Sequence, residues 1–212
     1  MIPFRTPPFL PWVFPNLVWR MPVYDKVIFL TFDDGPVPGP TEFVLATLKN
    51  FEARATFFCI GDNVRKYPEV FTQISEGGHS IGNHTFNHIK GWNYSTQDYL
   101  NNIELCERQF NLTFQQPVTG IKQLFRPPYG RITRNQIRSL KDNYRIIMWD
   151  VLTQDYSQSV SPERCYKGSF KATRPGSIVV FHDSLKAERN LTYTLPRYLE
   201  YFSKQGFVFS AL

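Results

Sequence analysis

Acidic residues are in short supply in this chain of 212 residues: 18 Asp and Glu stand against 24 Lys and Arg, for a net charge of +6. The surplus cations are scattered. The nearest approach to a cluster, Arg131, Arg134, Arg138 and Lys141, has the spacing of a solvated helix face. The dense basic stripe of a nucleic-acid binder is therefore missing, and only a weak attraction to an anionic surface or polymer is left open. Cysteine is nearly absent as well. Cys59, Cys106 and Cys165 are odd in number and form no CxxC pair, which excludes a disulfide framework and a cysteine zinc knuckle. Cys59, in the run ATFFCIG, and Cys106, at a helical core position, read as small buried apolar residues, a usage that leans towards a reducing compartment.

Long uninterrupted hydrophobic runs are lacking too. The N-terminal stretch MIPFRTPPFLPWVFPNLVW is apolar but cut by Pro3, Pro7, Pro8, Pro11 and Pro15. Proline at that density prevents a continuous helix, so the stretch reads as neither a signal-peptide core nor a transmembrane span. The expectation is an arm over residues 1–25 whose aromatics pack along the domain or make a peripheral membrane contact. A cytoplasmic or membrane-face location is expected rather than a secreted one. Length and a hydrophobic content of 42% suit one folded domain beyond the arm, over residues 26–212. Aromatics reach 16%, which fits either a bulky core or a groove with platforms for sugar rings.

Beyond the arm, strand and helix signals alternate. Lys26–Asp33 is an apolar run of strand length followed by the turn formers Gly35 and Pro36. Thr41–Phe51 has helical spacing behind Thr41 as a cap, Arg54–Ile60 is a second strand, and Asp62–Glu76 reads as one helix ending at Gly77 and Gly78. A short strand from His79 leads into HTFNH. Ser95–Phe110 forms a helix with a capping box at Ser95 and Asp98. A strand ending at Phe125, helix Thr133–Lys141, strand Tyr144–Val151, helix Pro162–Lys171, strand Ser177–Phe181, helix Leu195–Gln205 and strand Phe207–Ser210 complete the chain. Such alternation predicts an α/β fold with a parallel sheet covered by helices. Asp33, Asp34, His84, His88, Arg126, Asp150, Asp155 and His182 all fall at or just beyond strand C-termini, which is where a (β/α) barrel gathers its chemistry.

Only four histidines are present: His79, His84, His88 and His182. The i, i+4 pair His84 and His88 can set two imidazoles on one side of a helical turn for a metal. The residues between them, Thr-Phe-Asn, lack the glutamate of zinc proteases, so a general base must come from elsewhere. TFDDGP supplies two adjacent carboxylates, which stay ionised together when a cation neutralises one and leaves the other to take a proton from water; as a bare turn after a strand it needs no function. Arg126 can clamp a carboxylate such as Asp33, or sit in an ordinary loop. His182 closes an apolar strand, as either a satisfied core histidine or a general acid beside a metal.

Taken together, these residues resemble the polysaccharide deacetylase family, the NodB-type carbohydrate esterases. TFDDGP (31–36) resembles its first motif, HTFNH (84–88) its second, RPPYG (126–130) its third and VVFHD (179–183) its fifth. The order matches from about Val27 to Leu212. The resemblance implies a distorted (β/α) barrel with fewer than eight strands and a divalent metal, zinc before others, on Asp34, His84 and His88. It further implies Asp33 as base positioned by Arg126, His182 as acid, the loop backbone near Tyr129 holding the oxyanion, and an acetylated carbohydrate as substrate. The fourth motif departs from the family's Asp-x-x-Asp-Trp: this chain has Leu152-Thr-Gln-Asp155-Tyr156. That change leaves the support of His182 to Asp150 or Asp155 and places Tyr156 where the acetyl pocket expects tryptophan. Alternative readings are an O-acetyl esterase on acetylated polysaccharide, a non-catalytic sugar-binding barrel, and a non-haem iron site of the two-His, one-carboxylate type.

Overall fold

From Ile28 to Asp33 every side chain of the first strand is buried, the pattern of a parallel strand covered on both faces. The structure is a computed structural model that describes residues 3–23, 25–114 and 123–212. Its elements are α1 (Leu10–Val13), β1 (Val27–Asp33), α2 (Pro40–Asn50), β2 (Thr56–Cys59), α3 (Gly61–Lys66), α4 (Pro68–Glu76), β3 (Ser80–Asn83) and α5 (Thr96–Phe114). There follow β4 (Gln123–Phe125), α6 (Arg134–Leu140), β5 (Tyr144–Ile146), β6 (Val151–Leu152), α7 (Pro162–Ala172), β7 (Ile178–His182), α8 (Glu188–Lys204) and β8 (Val208–Ser210). Seven strands form a parallel half-barrel in the order β5-β4-β3-β2-β1-β7-β6, and β8 joins the lower half of β1.

Alternation along β1 decides what goes where. Ile28, Leu30 and Phe32 face the helices and join the main core with Val44, Phe57, Phe181 and Leu199. Phe32 stacks between Phe57 and Phe181, with ring centroids 5.0 and 5.9 Å away. Each such fully buried aromatic contributes roughly 1.5–3 kcal/mol over an exposed one. Phe29 points the other way, into a concave cluster with Phe58, Ile147 and Ile178. Thr31 and Asp33 share that concave face, so the strand's period of two places an apolar floor beneath a polar top.

Several expected boundaries move, each for a local reason. The helix expected over 62–76 is two helices, because Pro68 has no N–H and bars Tyr67 from helical geometry (φ −132°, ψ 58°). Thr41 is not a cap: α2 begins at Pro40 behind Gly39, and Glu42 accepts the Gly39 amide at 2.9 Å. The strand expected over 144–151 divides into β5 and β6, since the backbone at 147 and 148 turns its carbonyls towards Arg126. α8 starts at Glu188 rather than Leu195 and carries Pro196 inside it.

The proline-rich arm covers both open edges of the half-barrel. Around Val18 it pairs with Ile147 beside β5, and around Arg5 with Val151 of β6. Exposed edges invite pairing with other chains, and here the chain's own arm occupies them. Leu17 and Trp19 are buried with Ile137, Leu140 and Met148. Phe9 and Trp12 stay exposed. Among the described residues no helix is long and apolar enough to cross a membrane, and the membrane contact considered for the arm gains no support.

Candidate active site

At the top of the concave face, Arg126 is the largest fully buried side chain. A buried guanidinium is tolerable only when every donor is matched and its charge is met. Nη1 donates to Asp33 Oδ1 and to Thr31 Oγ1, each at 2.7 Å; Nε donates to the Ile147 carbonyl and Nη2 to that of Met148. The guanidinium also stacks 4.2 Å over Phe58. Burial pulls its pKa down, and Asp33 opposes that. Asp33 is therefore a buried carboxylate with one oxygen held by a cation.

The neighbouring Asp34, at φ 81°, turns the opposite way. Its Oδ1 lies 3.1 Å from His88 Nε2 and 3.7 Å from His84 Nε2. One ligand atom from each of the three residues falls within 4.8 Å of the others, the one such group among the described residues. His84 Nδ1 sits 2.8 Å from the Arg126 carbonyl, so that nitrogen carries the proton and Nε2 presents its lone pair to the centre. Burial holds His84 down at about 4, hence neutral at physiological pH. For Asp34 burial acts upward, but the His88 hydrogen bond and the surrounding imidazoles outweigh it and hold the carboxyl well below the usual range. The histidine pair is not on a helical turn, contrary to the expectation from its spacing: residues 84–90 form a loop, with Thr85 and His88 at φ 63° and 53°.

A carboxylate whose role the sequence did not announce fixes the turn after β1 that carries Asp34. Asp183 accepts the Gly35 amide at 3.1 Å and the Thr41 hydroxyl at 2.6 Å. A Cβ on Gly35 would collide with it, so glycine is required there. Asn63 adds a hydrogen bond to the Asp34 carbonyl at 2.7 Å. Burial pushes the Asp183 carboxyl up to about 8.

On the other flank of β1, His182 ends β7. Asp155 grips it twice, Oδ1 accepting from the ring Nδ1 at 2.7 Å and Oδ2 from the backbone amide at 2.8 Å. Burial would depress this imidazole, but Asp155 above all, with Asp34 and Asp33, reverses that and raises it to about 9. Asp150 is elsewhere, tied to Arg174 at 3.2 Å and to the Ser177 hydroxyl at 2.7 Å. Of the two acids considered for His182, the geometry places Asp155 there and not Asp150.

A family model described as polysaccharide deacetylase matches residues 20–144. The chain belongs to the polysaccharide deacetylase family. It is 34% identical over 196 residues to a peptidoglycan-N-acetylglucosamine deacetylase of Bacillus cereus, a match covering 91% of this chain and 89% of that protein. A chitooligosaccharide deacetylase of Azorhizobium caulinodans is 32% identical over 157 residues, covering 74% and 73% of the two chains. Among solved structures, a peptidoglycan N-acetylglucosamine deacetylase in complex with 4-naphthalen-1-yl-N-oxidanyl-benzamide superposes with a TM-score of 0.87 at 30% identity, covering 98% of this chain and 95% of that one.

Within this polysaccharide deacetylase, the altered fourth motif still delivers a carboxylate to the histidine. Leu152 is a buried residue of β6, and Asp155, three positions later, reaches His182. Tyr156 lies edge-on to His182 with ring centroids 4.9 Å apart. Tyr129, at φ 60° and exposed, lies 4.6 Å from the His88 ring. Lys90, Trp92, Arg131 and Lys186 stand around the same rim. Nothing in their spacing announced them, because three loops distant in sequence bring them together.

Proposed function

We propose that this family member is a metal-dependent hydrolase that removes N-acetyl groups from amino sugars in a poly- or oligosaccharide. The observation that carries the reading is the cluster of Asp34, His84 and His88, whose ligand atoms lie within 4.8 Å of one another. One carboxylate and two imidazoles suit zinc and leave positions open for substrate and water. His84 fits that use, since its buried ring is neutral and its Nδ1 proton is already committed. A divalent cation held there would supply Lewis acidity to the acetamide carbonyl and make water a nucleophile near neutral pH.

The chain's own groups do the rest. Asp33, fixed by Arg126, accepts a proton from the attacking water as its oxygen bonds to the acetyl carbon. The backbone N–H near Tyr129 donates to the developing oxyanion. His182, kept charged by Asp155, gives its proton to the sugar nitrogen as the carbon–nitrogen bond breaks, and acetate and a free amine leave. An amine is a poor leaving group unless protonated, so a histidine raised to about 9 favours amide over ester cleavage. It also leaves the iron-site reading without an explanation for Arg126, Asp155 and His182.

Amine release from N-acetylglucosamine oligomers, set beside acetate release from acetylated xylan, tests the reading. Faster turnover of the ester would favour the O-acetyl alternative. The variant His182→Ala is expected to bind Zn²⁺ normally and lose about 10²–10⁴-fold in turnover. Full activity in that variant removes His182 from the mechanism.

A further inference from the structure

The two imidazoles of the candidate metal centre are held by different means. His84 is fixed directly, its Nδ1 committed to the Arg126 carbonyl at 2.8 Å. A ligating histidine ordinarily has such an outer partner on the ring nitrogen that faces away from the metal. Among the described residues, the His88 ring has a hydrogen-bonding contact only with Asp34, 3.1 Å from its Nε2. Otherwise it rests against the rings of His84 and Tyr129. Its direction is therefore set through its backbone, which lies at φ 53°, three residues after Thr85 at φ 63°. Left-handed backbone is costly for a residue with a Cβ and persists only where the surroundings over-determine it.

The grip comes from α5, a helix that carries no ligand. Asn102 Oδ1 accepts the amides of Phe86 at 2.9 Å and Asn87 at 3.0 Å, and its Nδ2 donates to Asn87 Oδ1 at 2.9 Å. The Asn102 carbonyl takes a further share of the Phe86 amide at 3.1 Å. Turning the Asn102 side-chain amide over would set its donors against two N–H groups, so one orientation serves all its partners. The residue before His88 is thus bonded, backbone and side chain together, to one asparagine. The start of the loop has a separate anchor. Asn83 Oδ1 accepts the Thr85 amide at 2.8 Å, and its Nδ2 donates to Glu107 at 2.7 Å. We propose that Asn102 is the positioning residue of the second imidazole: by holding Asn87 it aims His88 at Asp34 and His84, and this preorganisation sets the affinity for the cation. The assignment rests on the metal-dependent reading of the site.

The test measures the Kd for Zn²⁺ by chelator competition, the visible spectrum of the Co²⁺-loaded protein and the melting of the metal-free protein. Asn102→Leu keeps the side chain's size and removes its bonds to the loop. It is expected to weaken Zn²⁺ binding by about 10- to 100-fold and to alter the Co²⁺ bands. Asn102→Asp keeps the acceptor for both amides, and the exposed side chain of Asn87 can turn to donate to it. Its Kd is expected within about 3-fold of the parent's. Asn101→Asp adds the same charge next door, where the side chain accepts from Gln97 instead, and should leave the Kd unchanged. If Asn102→Leu does not fold, Asn87→Ala removes the side-chain bond alone and should weaken binding by about 2- to 10-fold. A Kd equal to the parent's in the loop-releasing variant overturns the proposal, whatever happens to the melting temperature. So does a loss that aspartate fails to repair, or a repair that Asn101→Asp shows to be charge alone by binding more tightly than the parent. A parent protein that binds no Zn²⁺ strikes the metal-dependent reading itself, and the role of Asn102 with it. A parent and a variant that bind equally well strike only the role of Asn102.

Discussion

Replacing Asp155 with asparagine isolates the role of the charge that holds His182. Asparagine keeps the size of a fully buried side chain but removes the carboxylate that accepts from the ring at 2.7 Å. Burial presses the imidazole downward and Asp155 is the chief force against it, so the variant's histidine should fall from about 9 to the ordinary value near ~6.5 or below. At about pH 8 the charged fraction then drops from roughly 90% to roughly 3%, about 30-fold. A bound cation would offset the share contributed by Asp34 in both proteins alike, and a variant histidine below ~6.5 enlarges the contrast, so ~30-fold is the lower figure for the ionisation effect alone. The sign follows from the chemistry: the acid works when protonated, so activity is present below its pKa and lost as pH rises through it. The pH profile of kcat/KM for amine release, with thermal melting to confirm folding, should show the alkaline limb moved to lower pH and the deficit narrowing near about pH 5.5, where both proteins are charged. An alkaline limb that stays in place would refute the assignment of Asp155 to His182.

Arg126→Met leaves Asp33 buried without its cation, and the expected loss of stability is about 3–5 kcal/mol in urea denaturation; a loss under about 1 kcal/mol would mean that Asp33 is solvated or otherwise paired. His88→Ala should abolish stoichiometric Zn²⁺ binding by calorimetry, whereas His79→Ala, at a residue that accepts the Ala55 amide and packs on Phe57, should retain it. Equal uptake by both variants would disprove the ligand set.

Much of the site was legible because chemistry in this fold sits at strand ends, and strand ends are marked by where apolar runs stop. Asp33, Asp34, Arg126 and His182 were placed that way, and the parallel sheet followed from alternation. What the sequence hid was mostly non-local. The histidine loop uses left-handed backbone at Thr85 and His88, which no helical spacing describes. Strand 144–151 reads as one apolar run, and its division depends on a guanidinium about 20 residues earlier that needs two carbonyls. Asp150 and Asp155 are equally acidic in sequence; only the pairing of β6 with β7 decides which reaches His182. Pro68 was a local signal that the periodic reading overrode.

The most direct test is amine release from an acetylated amino-sugar oligomer by the purified chain, stripped with chelator and then given Zn²⁺. The account predicts negligible release without metal, recovery that saturates near one equivalent of Zn²⁺, and no recovery in His84→Ala or His88→Ala. Undiminished release after complete chelation would contradict it, as would recovery in variants that lack the two imidazoles.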